Sequence, residues 1–172
     1  SALASIDERT SSGSNIAFNS FTISANTRTY AASFVAGRWT GEVSAYSLAG
    51  TDVVDPPVWL ASEGIPTTGR NVLTYGGTNG AAADADDFPT DDQLAVLTQD
   101  IADYIIGDRA GEGTTYRSRT HLFGDIVNSS PVYVAEGTTE TVYVGANDGM
   151  LHAINAANGQ ERFTYVPGIL ET

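Results

Sequence analysis

A mainly β fold built from short antiparallel meanders is predicted for this chain on three observations. Within residues 124–167, the runs 142–145, 150–154 and 162–166 are β-branched, aromatic or alternating, the pattern of half-buried strands. Asn147-Asp148-Gly149 and Asn158-Gly159 separate them. Asn-Gly and Asp-Gly mark hairpins because a type I′ turn needs φ > 0 at both central residues. Third, the chain repeats itself: 33–50 parallels 142–159, each a strand, a glycine turn, an alternating Ala-containing strand and a second glycine turn. An aromatic strand follows in both copies, Val58-Trp59-Leu60 in one and Phe163-Thr164-Tyr165 in the other. A meander ending in an aromatic strand is how a β-propeller blade is written. The expected architecture is therefore a partial β-propeller with one inserted helix.

Taken along the chain, residues 1–32 read as a strand-rich N-terminal segment and 33–172 as the partial propeller, with an insertion over 76–107. The first 35 residues are rich in Ser, Thr, Asn and Ala, with strand-like pieces at 15–23 and 29–35 whose apolar residues lack helical spacing. Residues 71–75 read as an outer strand, and 76–83 as a Gly/Ala loop. One helix is expected over 91–106. Thr90 and Gln93 form a capping-box pair, and Asp91 and Asp92 suit the positive helix end. Leu94, Leu97, Ile101 and Ile105 give one apolar stripe, and Gly107 is the stop. Further on, 116–120 and 132–134 read as strands, with Asn128-Ser129-Ser130-Pro131 leading into the second.

A complete propeller needs at least four four-stranded blades, more than 172 residues hold comfortably. The chain is thus expected to be part of a propeller. Its eight basic residues, all Arg, face 21 acidic ones, for a formal net charge of −13. Such a chain is repelled by phosphate backbones and anionic headgroups, which argues against nucleic acid as a partner. Without cysteine there are no disulfides, iron–sulfur clusters or thiol catalysis. No apolar run reaches the roughly 18 residues of a membrane span.

Candidate chemistry is sparse. Asp84, Asp86, Asp87, Asp91 and Asp92 cluster as hard-cation ligands would, and Asp84, Asp86 and Asp87 are the metal candidates. The EF-hand pattern fails: from Asp84 the sixth position is Pro89 where Gly is required, and the twelfth is Ala95 where Glu is required. Asn147-Asp148-Gly149 reads as a turn rather than a ligand set. His152, in an alternating strand, reads as packed or hydrogen-bonded, and His121 stands alone. Ser129 and Ser130 lack the Gly-x-Ser-x-Gly elbow of a nucleophile. Arg117, Arg119 and Asp125 are expected to form buried ion pairs. No residue is assigned a catalytic role.

Gly124-Asp125-Ile126-Val127-Asn128-Ser129-Ser130-Pro131, followed by Val144-Gly145-Ala146-Asn147-Asp148-Gly149-Met150-Leu151-His152-Ala153, resembles the propeller signature of the type IV pilus tip adhesin and biogenesis factors, the PilY family with the neisserial PilC adhesins. Gly124, Asp125, Ser130, Pro131, Gly145, Asn147, Asp148, Gly149 and His152 carry the motif. Trp39 to Tyr46, Trp59, Arg70 and Tyr116-Arg117-Ser118-Arg119 resemble the start of that domain more loosely. The resemblance implies a non-enzymatic, exported protein at the pilus tip. It would support pilus assembly and adhesion, with pilins and a surface or host receptor as partners. It also implies a Ca²⁺ site in the full-length protein, outside this segment. Two other readings are a subunit that self-assembles through exposed strand edges and a fragment of a quinoprotein-like dehydrogenase. The missing vicinal cysteine pair argues against the second.

Overall fold

The computed structural model describes residues 10–11, 16–18, 27–35, 38–75 and 85–168. They form two antiparallel-rich sheets, so the mainly β expectation holds, and neither sheet closes on itself among the described residues. The first sheet holds β1 (Thr10–Ser11), β2 (Ile16–Phe18), β3 (Arg28–Val35), β4 (Thr40–Ala49) and β5 (Asp52–Leu60). Its order is β1-β3-β4-β5, with β2 also pairing β3. The second holds β6 (Val72–Tyr75), β7 (Ala85–Asp87), β8 (Val132–Glu136), β9 (Thr139–Gly145), β10 (Leu151–Asn155) and β11 (Glu161–Val166), in the order β7-β6-β11-β10-β9-β8. Thus β3-β4-β5 and β9-β10-β11 are three-strand meanders at the two copies of the repeat. The expected strand at 116–120 is absent: Tyr116 makes a single bridge, to Glu112.

The turns differ in detail from the sequence reading. Only the glycines take positive φ, Gly149 at 87° and Gly159 at 78°, while Asp148 and Asn158 do not. These are therefore not two-residue type I′ hairpins. Each is a longer connection, 146–150 and 156–160, closed by one left-handed glycine. The Asx side chains work locally instead: Asp148 Oδ1 accepts from Met150 N at 3.0 Å, Asn155 Oδ1 from Ala157 N at 3.0 Å, and Asn158 Oδ1 from Gln160 N at 3.1 Å.

The helical stretch divides in two, α1 (Asp91–Leu94) and α2 (Gln99–Ile106). The capping box forms as written: Gln93 N donates to Thr90 Oγ1 and Thr90 N to Gln93 Oε1. A second cap then competes, because Thr98 Oγ1 accepts from Ile101 N. Buried Gln93 also donates through Nε2 to Thr74 Oγ1 at 2.9 Å, which ties α1 to β6. Leu94, Leu97, Ile105 and Ile106 pack on Val72, Phe88, Ala102, Met150 and Val166. Gly107, at φ 137°, ends α2.

The larger core lies between the sheets. Tyr30, Val43, Ala45 and Trp59 come from the first, Val142, Val144 and Ile154 from the second, and Phe123 and Ile126 from the segment that joins them. Tyr30 is fully buried and its hydroxyl meets no partner among the described residues. Burial pushes that phenol up to about 12. An unpaired buried hydroxyl is costly, so Tyr30→Phe should raise stability by about 1 kcal/mol. A urea midpoint below wild type would contradict this.

Candidate functional site

The motif residues converge where segment 123–126 crosses the turn between β9 and β10. Thr40 bridges Gly124, and Gly41 N donates to Phe123 O at 3.3 Å, so β4 holds one side. On the other, Asn147 N donates to Asp125 O at 2.9 Å and Asn147 Nδ2 to Asp125 Oδ2 at 2.8 Å. Gly124 N donates to Asp148 Oδ2 at 2.9 Å. A Cβ at Gly124 would lie 2.6 Å from Asp148 N, so no side chain fits there.

From Asp148 a chain of buried charges runs through the second sheet. His152, on β10 and wholly buried, has Nε2 2.9 Å from Asp148 Oδ2 and Nδ1 3.1 Å from Glu161 Oε1. Arg70 grips Glu161 with Nε on Oε2 and Nη2 on Oε1, both at 2.8 Å, and its Nη1 donates to Ile106 O at 2.9 Å. That last bond closes the C-terminal end of α2. The Phe123 ring and the imidazole pack edge to face, centroids 4.5 Å apart. With a carboxylate at each ring nitrogen, His152 carries both protons, and two cations balance two anions.

Burial alone would push the His152 imidazole down, but its bonds and charge pairing with Asp148 and Glu161 outweigh this and raise it above the ordinary histidine range. Burial alone would raise both carboxyls. His152 and the Gly124 and Met150 amides instead hold Asp148 low, and Arg70 with His152 holds Glu161 low. The raised imidazole contributes fully below the unfolded value of about 6.5 and is lost as pH rises through its folded value. The depressed carboxylates contribute above about pH 4 and are lost as pH falls through their folded values. The network should therefore stabilise most between about pH 4.5 and 6.5. Urea stability of the wild type should fall above that window more steeply than that of His152→Gln. Parallel profiles would contradict this assignment.

The remaining motif residues are structural neighbours. Gly145 N donates to Ser129 Oγ at 3.0 Å, Ser130 is exposed and Pro131 buried. Asp84 lies outside the described residues. Asp86 and Asp87 pair with Thr74 and Leu73 in the β6–β7 register. Among the described residues no group of three or more His, Asp or Glu side chains is disposed to hold a metal ion. No described helix is long and apolar enough to cross a membrane.

The expected pairing of Arg119 with Asp125 is not what forms. Arg119 Nε meets Glu112 Oε1 at 2.7 Å, Nη1 and Nη2 donate to Tyr104 O and Asp108 O, and the guanidinium lies 3.8 Å over the Tyr104 ring. Arg117 is exposed and donates to Arg38 O at 2.8 Å. Asp125 is taken by Asn147, a neutral partner that spares it a second buried charge. Sequence reasoning missed Glu112 and Glu161, whose arginine partners come from turns and loops with no periodic signal.

These features define a mainly β segment whose motif residues build a buried, charge-balanced junction between two sheets. In sequence the chain is PilY1-like. It is 30% identical over 187 residues to a type IV pilus biogenesis factor PilY1 homolog of Xylella fastidiosa, covering 90% of this chain and 15% of that protein. It is likewise 30% identical over 186 residues to the type IV pilus biogenesis factor PilY1 of Pseudomonas aeruginosa strain PAK, covering 80% of this chain and 16% of the relative. The chain thus spans about a sixth of the length of these relatives. No family profile matches the chain, and no solved structure is significantly similar to it.

Proposed function

We propose that this segment is a non-enzymatic scaffold, part of a β-propeller, within a type IV pilus-associated protein that supports pilus assembly and adhesion from the cell surface. The observation that carries the reading is similarity over 80–90% of the chain to proteins named as type IV pilus biogenesis factors. The geometry is consistent with a scaffold. The titratable groups of the motif are spent on one another at a buried junction, and Ser129 is used as a hydrogen-bond acceptor. Paired three-strand meanders in an internal repeat support the propeller assignment. Pilins and a surface or host receptor are the proposed partners, and any Ca²⁺ site belongs to the longer protein. Neither the filament subunit nor the dehydrogenase is favoured by these relatives.

The test is genetic. Deleting the gene in the source organism should reduce surface pili and attachment, and the intact gene should restore both. Unchanged piliation and attachment in the deletion strain would remove the proposal. A complementing allele carrying Gly124→Val should fail if the junction is what the segment supplies, and the level of the variant protein on the surface tells misfolding from lost contact.

A further inference from the structure

We infer that the cleft beside this junction binds a carboxylate-bearing sugar unit, with the exposed Trp39, flanked in sequence by two residues tied to the cleft, as a stacking surface. The cleft has a volume of about 280 Å³ and is lined by Tyr104, Arg117, His121, Phe123, Asn147 and Asp148, among others. It lies just below the range of drug-sized ligand pockets, which begin at about 300 Å³, the right scale for one ring and its acid group.

Charge gives the first argument. The ligand's carboxylate needs a cation not already claimed by a carboxylate of the chain. Arg70, Arg109 and Arg119 are so claimed. Among the described residues Arg38, Arg117 and Arg162 are not, and of these Arg117 lines the cleft: its single partner is the Arg38 carbonyl, on Nη1, which leaves Nε and Nη2 for a ligand. A guanidinium binds a carboxylate through two parallel bonds. His121, also in the lining, has a buried Nδ1 with no partner among the described residues. Burial and the neighbouring Arg109 hold this imidazole below its ordinary range, so it serves as a neutral hydrogen-bonding group.

The second argument is Trp39. It is 60% exposed and is the one non-glycine among the described residues with positive φ, at 54°. A bulky residue in that region persists where the surroundings force it, and such strain gathers at binding sites. Both of its neighbours are tied to the cleft: Arg38 accepts from Arg117, and Thr40 bridges Gly124, which also lines it. An exposed indole offers a face for the C–H side of a sugar ring. Exposed Asn147, whose Nδ2 is held by Asp125, presents its Oδ1 for a hydroxyl. Asp148 already accepts from Gly124, Met150 and His152, so its charge is largely compensated.

The inference names a ligand class for the adhesion reading and rests on that reading for its biological use, but it is tested separately. Short oligogalacturonates are titrated into the intact chain, with tryptophan emission and calorimetry as readouts. The fully methyl-esterified, uncharged oligomer and a glutamate peptide of equal charge serve as comparators. Expected are saturable binding of the acid form, quenching of Trp39, and an affinity at least about tenfold lower for Arg117→Gln and for the ester, the scale of a lost charge-assisted pair. Arg162→Gln, on β11, should bind as wild type. No saturable binding overturns the inference, as does equal binding of the ester or an unaffected Arg117→Gln. Equal binding of the glutamate peptide overturns the sugar assignment. Failure here leaves attachment of the deletion strain unchanged as evidence, so the two readings fall independently.

Discussion

Replacing Arg70 with Met is expected to cost about 3–5 kcal/mol of folding stability, because it strands a buried carboxylate. The Arg70 and Glu161 side chains are each only 2% exposed, and the guanidinium supplies two bonds to Glu161 and one to Ile106 O. Once it is gone, Glu161 retains only His152, and the last carbonyls of α2 lose a donor. The companion variant separates stranded charge from lost packing. If stranded charge dominates, Arg70→Met with Glu161→Leu should recover much of the loss, since a buried pair replaced by apolar groups of similar size is often neutral or better. Urea melts of wild type, both single variants and the double variant give the coupling energy. A double variant as unstable as the sum of the singles would show that packing alone explains the loss.

The two tryptophans should respond in opposite ways. Trp59 is 8% exposed, donates from Nε1 to Ala156 O at 3.2 Å and lies 5.8 Å from the Tyr30 ring, centroid to centroid. It also lies against Gly159, where an added Cβ would come within 2.8 Å of the indole. The side chain therefore joins β5 of one sheet to the β10–β11 connection of the other. Trp59→Ala should cost about 3–5 kcal/mol, the range for emptying an aromatic site in a core. Ala156 O keeps Arg28 Nη1 as a donor, so the loss is one of packing more than of hydrogen bonding. Trp39→Gly, in contrast, removes an exposed ring and relieves a left-handed backbone that costs a non-glycine about 1–2 kcal/mol. It should leave the melting midpoint unchanged or raise it. Thermal melts that ranked the two variants in the reverse order would refute the assigned environments.

The residues of the motif are used to hold the fold together. Asn147, Asp148 and His152 are residue types that chemistry uses, yet here they hold Gly124 and Asp125 against the sheet. Tight approach requires the glycine, and the glycine requires a neighbour able to accept its N–H. What remains available for contact with other molecules lies around that junction, in Arg117, His121 and Trp39.

Strand-turn periodicity is a local property, so the β9-β10-β11 meander, the β8 strand and the capping box at Thr90 were legible from residues a few positions apart. The repeat likewise pointed to the β3-β4-β5 unit. Turn type was misread, because Asn-Gly and Asp-Gly permit a type I′ hairpin without requiring it, and connections 146–150 and 156–160 use the Asx side chains instead. The helix was read as one because its apolar stripe continues across Ala95–Thr98, while the break is set by a second cap at Thr98 and by where α1 docks on β6. Which charges meet was not legible. Arg70 and Glu161 are 91 positions apart, and Gly124 and Asp148 are 24 apart. A charged side chain has no periodic signature of its own, and its partner is chosen by which backbones the core brings together. The sequence by itself determined most of the strands, the Thr90 cap and the net acidity; only the packing of two sheets decided that Asp148, His152, Glu161 and Arg70 would share one buried, neutral cluster, because burial forces each charge to find its opposite.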